Sequence, residues 1–186
     1  IREAGSFFLL SSTNNAVVTD NYMIGGDVYI TGGPHTNLTF SNNKVLADAL
    51  VGFTASSFLN NTYFAAKPNL TDVIVRPNQY DRNRAHVIIY NWERRNTVDV
   101  DISTLGWNVG DTYELHNVQD YFNDITPGTY NGGSISVPMS GRSIVPPVGW
   151  PTPASTFPEF GVFVLTKGIT QPPPIVPIPF TGGLSK

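Results

Sequence analysis

Val17-Val18-Thr19-Asp20-Asn21-Tyr22-Met23-Ile24 is the stretch on which the fold turns, because it is written twice more. It returns as Thr39-Phe40-Ser41-Asn42-Asn43-Lys44-Val45-Leu46 and as Ser57-Phe58-Leu59-Asn60-Asn61-Thr62-Tyr63-Phe64. Asn21, Asn43 and Asn61 align at steps of 22 and 18 residues, each with a large apolar residue three positions before and two after. A period near 20 marks a solenoid, in which each repeat is one coil that buries its apolar face only against its neighbours. The repeats predict short parallel coils over residues 1–66, read as the last coils of a longer stack.

Alternation gives the coil its inside and outside. Leu38 and Phe40 share one strand face and Thr39 and Ser41 take the other. The chain must bend at Asn42-Asn43, because Val45 rather than Lys44 is the next residue suited to the interior. A side-chain amide buried at that bend can bond the same amide one coil up and one coil down, which avoids a desolvation cost of about 1–3 kcal/mol. Asn21, Asn43 and Asn61 are therefore expected to form a structural ladder. The pattern resembles the coils of right-handed parallel β-helix proteins, the pectate-lyase-like superfamily, whose turns commonly carry asparagine ladders.

Composition narrows the rest. Charged residues are 13% of the chain, with 17 glycines, 15 prolines and no cysteine. That charge is about half the usual share, and with frequent Val, Thr, Tyr and Phe it reads as an all-β protein of many short strands. A net charge of −3 supplies no basic field for nucleic acid or an anionic membrane. No apolar run approaches the roughly 20 residues of a membrane span. Without cysteine there are no disulfides, thiolate metal sites or cysteine nucleophiles. The chain opens on Ile1 rather than Met and is expected to be a processed or excised product. The sequons at Asn37, Asn60 and Asn69 would accept N-glycans in a eukaryotic secretory route.

Beyond residue 66 the character changes. Asp72–Arg76, Ala85–Trp92, Thr97–Ile102, Thr112–Asn117, Ser134–Val137 and Phe160–Thr166 read as strands. Turn-rich separators lie between them, Pro127-Gly128 and Asn131-Gly132-Gly133 among them. This spacing predicts an antiparallel β-sandwich over residues 67–167. No convincing amphipathic helix is present. Residues 168–186 carry five prolines and are expected to form an extended, polyproline-like arm. The strands Ala85-His86-Val87-Ile88-Ile89-Tyr90-Asn91-Trp92, Thr97-Val98-Asp99-Val100-Asp101-Ile102, Gly110-Asp111-Thr112-Tyr113-Glu114-Leu115 and Phe160-Gly161-Val162-Phe163-Val164-Leu165 resemble the C-terminal all-β domain that follows the catalytic domain in many glycoside hydrolases. That resemblance implies a domain outside the active site, which packs on its catalytic neighbour and sometimes touches glycan.

Catalytic residues are not expected. His35, His86 and His116 form no metal-binding spacing, and neither a Gly-x-Ser-x-Gly signature nor a phosphate-binding glycine loop occurs. Asp99 and Asp101 alternate with Val98, Val100 and Ile102, so they read as the solvated face of a half-buried strand. No cofactor or metal is expected. Calcium is the one ion for which carboxylates offer themselves, through the paired Asp99 and Asp101 and through Glu114, Asp120 and Asp124 around the 119–124 loop, and the plainer reading of these residues is structural. Aromatic rings are the better binding candidates. Trp107, Tyr121, Phe122, Tyr130 and Trp150 fall in or beside loops, where a flat ring stacks on a sugar face. Trp107, Tyr121, Tyr130 and Trp150 are taken as the glycan contacts, and Trp92 is assigned to the core.

Two functions follow as expectations. The first is a non-catalytic extracellular or cell-surface module of a β-helix carbohydrate-active protein, capping the solenoid and contacting a polysaccharide. Its parent, if an enzyme, is a polysaccharide lyase or glycoside hydrolase. The alternative is a structural subunit of a fibre, appendage or tail, joined to copies of itself through the open N-terminal coil and the Pro-rich arm.

Overall fold

The computed structural model describes residues 6–168. It is all-β: among the described residues there is no α-helix, only short 3-10 turns at Ala55–Ser57, Ser103–Leu105 and Val118–Asp120. The arm expected after Gly168 lies outside the described residues. Two compact units divide between Leu70 and Thr71.

The first unit is a parallel solenoid. Its first coil runs through β1 (Phe7–Leu9), β2 (Thr13–Asn14), β3 (Val17–Thr19) and β4 (Tyr22–Ile24). The second runs through β5 (Val28–Ile30), β6 (His35–Thr36), β7 (Thr39–Ser41) and β8 (Lys44–Leu46), and the third keeps only β9 (Leu50–Val51) and β10 (Thr62–Tyr63). Each strand lies parallel to its counterpart one coil on, Phe7 opposite Val28, Val18 opposite Phe40 and Met23 opposite Val45. Val28, Ile30, Phe40 and Val45 of the second coil are buried in the interior. Phe40 is held edge-on by Phe53 at 5.8 Å and Phe58 at 5.3 Å. The bend is made by Asp20 (φ 59°) and Asn42 (φ 56°), left-handed residues placed immediately before Asn21 and Asn43. Asn and Asp tolerate that conformation because their short polar side chains bond locally.

Asparagines link the coils at this corner. The backbone N–H and Nδ2 of Asn21 both donate to Asn43 Oδ1 at 3.0 Å, and those of Asn43 both donate to Asn61 Oδ1 at 2.9 Å. The second Nδ2 hydrogen of Asn43 reaches back to Val18 O at 2.9 Å, and that of Asn61 to Phe40 O at 2.8 Å. Asn43 is only 1% exposed, so all its hydrogen-bonding capacity is met by the coils on either side. Parallel contacts join Asn37 to Asn15 and Asn42 to Asp20 on the surface.

The second unit is an antiparallel sandwich. One sheet has the order β11-β12-β17-β14-β15, from β11 (Thr71–Pro77), β12 (Arg84–Asn91), β14 (Thr112–Asn117), β15 (Ile125–Thr129) and β17 (Phe160–Lys167). The other pairs β13 (Thr97–Asp101) with β16 (Ser134–Pro138). Val87, Ile89, Leu115, Phe163 and Leu165 of the large sheet share a core with Val98, Val100, Ile135 and Val137 of the small one. Each such side chain contributes about 1.5–3 kcal/mol on burial. Asp99 and Asp101 face outward as the alternation requires. Trp92 is half-buried beside Tyr90 and stands outside the sandwich core.

Pro127-Gly128, read above as a turn, lies instead inside β15. Proline is tolerated there because β15 is the sheet edge. Gly128 sits opposite Tyr113, where a Cβ would come within 2.3 Å of the ring. The glycine makes room for an aromatic side chain.

The ladder predicts unequal sensitivities along its length. Asn43→Ala strands buried groups on both neighbouring coils and is expected to cost about 2–4 kcal/mol, whereas Asn21→Ala, at the exposed end, is expected to cost under about 1 kcal/mol. Urea denaturation of the two variants checks this; equal losses would show that burial of the Asn43 amide is not what holds the coils.

Candidate functional site

One end of the sandwich is organised by side-chain hydrogen bonds between two loops. After β14 the chain enters the 3-10 turn Val118–Asp120, capped by Asn117, whose Oδ1 accepts from the Gln119 amide at 3.1 Å. The Nδ2 of Asn117 donates to Asp124 Oδ2 at 2.9 Å and to Ser143 O at 2.8 Å. Asp124 Oδ1 meets Arg142 Nη1 at 2.5 Å, and both side chains are nearly buried. The same guanidinium donates to Pro138 O (2.9 Å) and Thr126 Oγ1 (3.0 Å) and lies 5.4 Å from the Phe163 ring centre. Asp120 accepts from Asn123 Nδ2 at 2.7 Å and from Ser143 Oγ at 2.5 Å. These contacts hold its carboxyl below the ordinary aspartate value near 3.8, the Ser143 hydroxyl first and the Asn123 amide next, against an opposing push from burial.

A buried ion pair of this kind persists only when its remaining donors and acceptors are satisfied, and here they are. The effect is mechanical: loop 117–125 is clamped to loop 138–145, and Val145 N–H adds a bond to Gln119 O at 2.9 Å. On this clamped end Tyr121 stacks on His116 with ring centres 4.6 Å apart and planes 18° apart. His116 Nδ1 bonds Tyr121 O at 3.0 Å and its Nε2 faces Glu114 Oε2 at 3.2 Å. Phe122 meets Tyr121 edge-on at 5.2 Å and is 84% exposed. Trp150, after a turn closed by its own N–H to Pro147 O, is 71% exposed.

The four aromatic residues taken from the sequence as glycan contacts divide into two pairs. Trp107 and Tyr130 are 8% and 5% exposed and belong to the sandwich core. Trp107 Nε1 donates to Arg82 O at 3.4 Å, and the Tyr130 hydroxyl accepts from Gly133 N–H at 3.0 Å. The glycan assignment is corrected for these two: each ring plugs the core and leaves no face for a sugar. Tyr121 and Trp150 reach the surface, and Phe122 joins them. Glu114, Asp120 and Asp124 do not converge, since their carboxylates turn to His116, Ser143 and Arg142; among the described residues no group of three or more His, Asp or Glu forms a metal cage. Sequence reading missed Arg142, a lone cation in Ser140-Gly141-Arg142-Ser143 whose only signal is the absence of any nearby charge in the sequence.

In the solenoid, a hollow of about 740 Å³ opens beside the third coil, lined by Gly32, Gly33, His35, Phe53, Ser57 and Phe58 among others. His35 Nδ1 shares a hydrogen bond with Thr13 Oγ1 at 3.0 Å, while its buried Nε2 has no partner among the described residues.

Comparison with protein-family models, curated proteins and solved structures returns no match for this chain.

The clamp carries a pH signature. Because the Asp120 carboxyl is depressed in the folded state, the stability it contributes is complete above the ordinary aspartate range and is lost as pH falls through it. Ser143→Ala removes the largest cause, so the variant is expected to be less stable than wild type at neutral pH, with the gap narrowing below about pH 4. Thermal melts across pH read this directly; a gap constant down to pH 3 would separate the Ser143 contact from the Asp120 titration.

Proposed function

We propose that this chain is a non-catalytic extracellular module of a β-solenoid carbohydrate-active protein, whose sandwich contacts glycan through the aromatic rings of the clamped loop end. The observation that carries the reading is the exposure of Phe122 on a loop made rigid from beneath, with Trp150 as a second exposed ring beyond the clamp. A large apolar ring held in water is costly to leave uncovered and loses little entropy on binding when its backbone is already fixed. The neighbouring carboxylates are committed to structure, which gives the site a positioning role rather than a proton-transfer one. Carbohydrate suits such a surface, because a sugar offers an apolar face to a ring and hydroxyls to the rim. A structural subunit is the second reading, favoured by the first-coil strands, which among the described residues pair on one side only.

Affinity electrophoresis against a panel of neutral and acidic polysaccharides tests the first reading. Retardation by at least one of them is expected. Trp150→Ala and Phe122→Ala are each expected to weaken that binding about three- to tenfold, the equivalent of roughly 0.5–1.5 kcal/mol for one ring stack. Trp107→Ala is expected to lower stability instead. No retardation by any polysaccharide, or undiminished binding by both loop variants, would sink the proposal.

A further inference from the structure

The asparagine ladder has a direction, and its two ends differ chemically. Each asparagine donates its backbone N–H and one Nδ2 hydrogen forward to the next Oδ1, and the other Nδ2 hydrogen backward to a carbonyl of the preceding coil. Asn61 turns the hydrogen that would feed a fourth coil onto Phe58 O of its own coil, at 2.9 Å. That end is closed. Asn21 turns its backward hydrogen onto Thr19 O at 2.8 Å, and among the described residues no donor reaches its Oδ1. That end is an open acceptor.

The interior repeats the asymmetry. Phe7, Leu9, Val18 and Met23 occupy the same registers as buried Val28, Ile30, Phe40 and Val45, yet all four are only partly buried. Backbone alternation completes the edge. Leu9 O accepts from Thr31 N–H and Ala16 O accepts from Thr39 N–H of the second coil. The intervening amides of Phe8, Val17 and Thr19 therefore face the other side of the first coil, away from the second.

We infer that the open face of the first coil is a docking edge for one further parallel β-coil that presents an asparagine over Asn21 and apolar side chains over Phe7, Leu9, Val18 and Met23. The incoming asparagine supplies backbone N–H and Nδ2 to Asn21 Oδ1, and Asn21 returns its Nδ2 hydrogen to a carbonyl of that coil. A second copy of this chain does not fit. In a parallel stack the coil it presents is the third, where both Nδ2 hydrogens of Asn61 are already spent on carbonyls and no strand stands ready to pair with β2 or β3. The inference rests on the solenoid half of the proposed function and is independent of glycan contact.

The test duplicates residues 4–25 in tandem ahead of residue 4 in the full chain, which sets the added asparagine 22 residues before Asn21. Amide hydrogen exchange at Phe8, Val17 and Thr19 is the readout. These amides are expected to exchange freely in the chain as it stands and to gain at least about 100-fold protection in the duplicated chain, a coupling of roughly 2.7 kcal/mol. The same duplication with Asn21→Ala in the added copy is expected to forfeit at least tenfold of that gain. Unchanged exchange after duplication overturns the inference. So does protection already present in the native chain, whether it vanishes on dilution, which identifies a second copy, or on removal of residues 169–186, which identifies the arm. Polysaccharide retardation measured on the duplicated chain separates this outcome from the fate of the glycan reading, since the clamped loops are untouched.

Discussion

The solenoid depends on one demand: a side-chain amide buried in the middle coil must find a partner for every donor and acceptor. An unpaired buried amide costs about 1–3 kcal/mol, a large part of what a unit this small retains after chain entropy. Asn43 meets the demand only if coils lie on both sides in one register. The same contact that stabilises the stack thus sets its alignment. A slip of one residue would turn Phe40 and Val45 outward as well as break the ladder, so apolar burial and amide pairing enforce a single solution together.

The sandwich solves a related problem with charge. Loop 117–125 has few apolar residues directed inward, so hydrophobic burial cannot hold it. Arg142, Asp124, Asp120, Asn117 and Ser143 hold it instead, through bonds that satisfy one another within a nearly dry space. The net worth of a buried ion pair against an apolar replacement is small. Its value here is geometric, because it freezes the loop that displays Phe122 without covering the ring. A greasy clamp would have tended to draw that ring inward.

How much of this was legible in the chain follows from which signals are local. The repeat was legible because Val18, Phe40 and Phe58 precede their asparagines at one fixed distance, and that spacing survives the change in step from 22 to 18. β15 was not, because Pro127-Gly128 carries the local signature of a turn while its place is set by a distant ring, Tyr113. The same limit applies to Trp107 and Tyr130. A loop position says that a ring is near the end of a sandwich, yet whether it points in or out depends on the void left by the opposite sheet. Arg142 was hidden for the converse reason: its partners Asp124 and Thr126 are distant in sequence and become neighbours only once β15 has formed.

The shortened step explains why the stack has a direction at all. Between Asn43 and Asn61 the chain keeps the ladder corner and the strand after it, and drops the side that β6 and β7 occupy in the second coil. Two of the four sheets therefore stop at the second coil while the ladder runs one rung further. The hollow beside Gly32 and His35 is the space left by that omission. Gly32 itself marks a close approach of two coils, since a Cβ there would lie 1.8 Å from Leu10 O, and its φ of +90° suits glycine alone. An end made by omission needs no separate capping helix, but it leaves no complete edge on which another coil can rest. The first coil, with strands on all four sides and an asparagine whose Oδ1 meets no donor among the described residues, retains one.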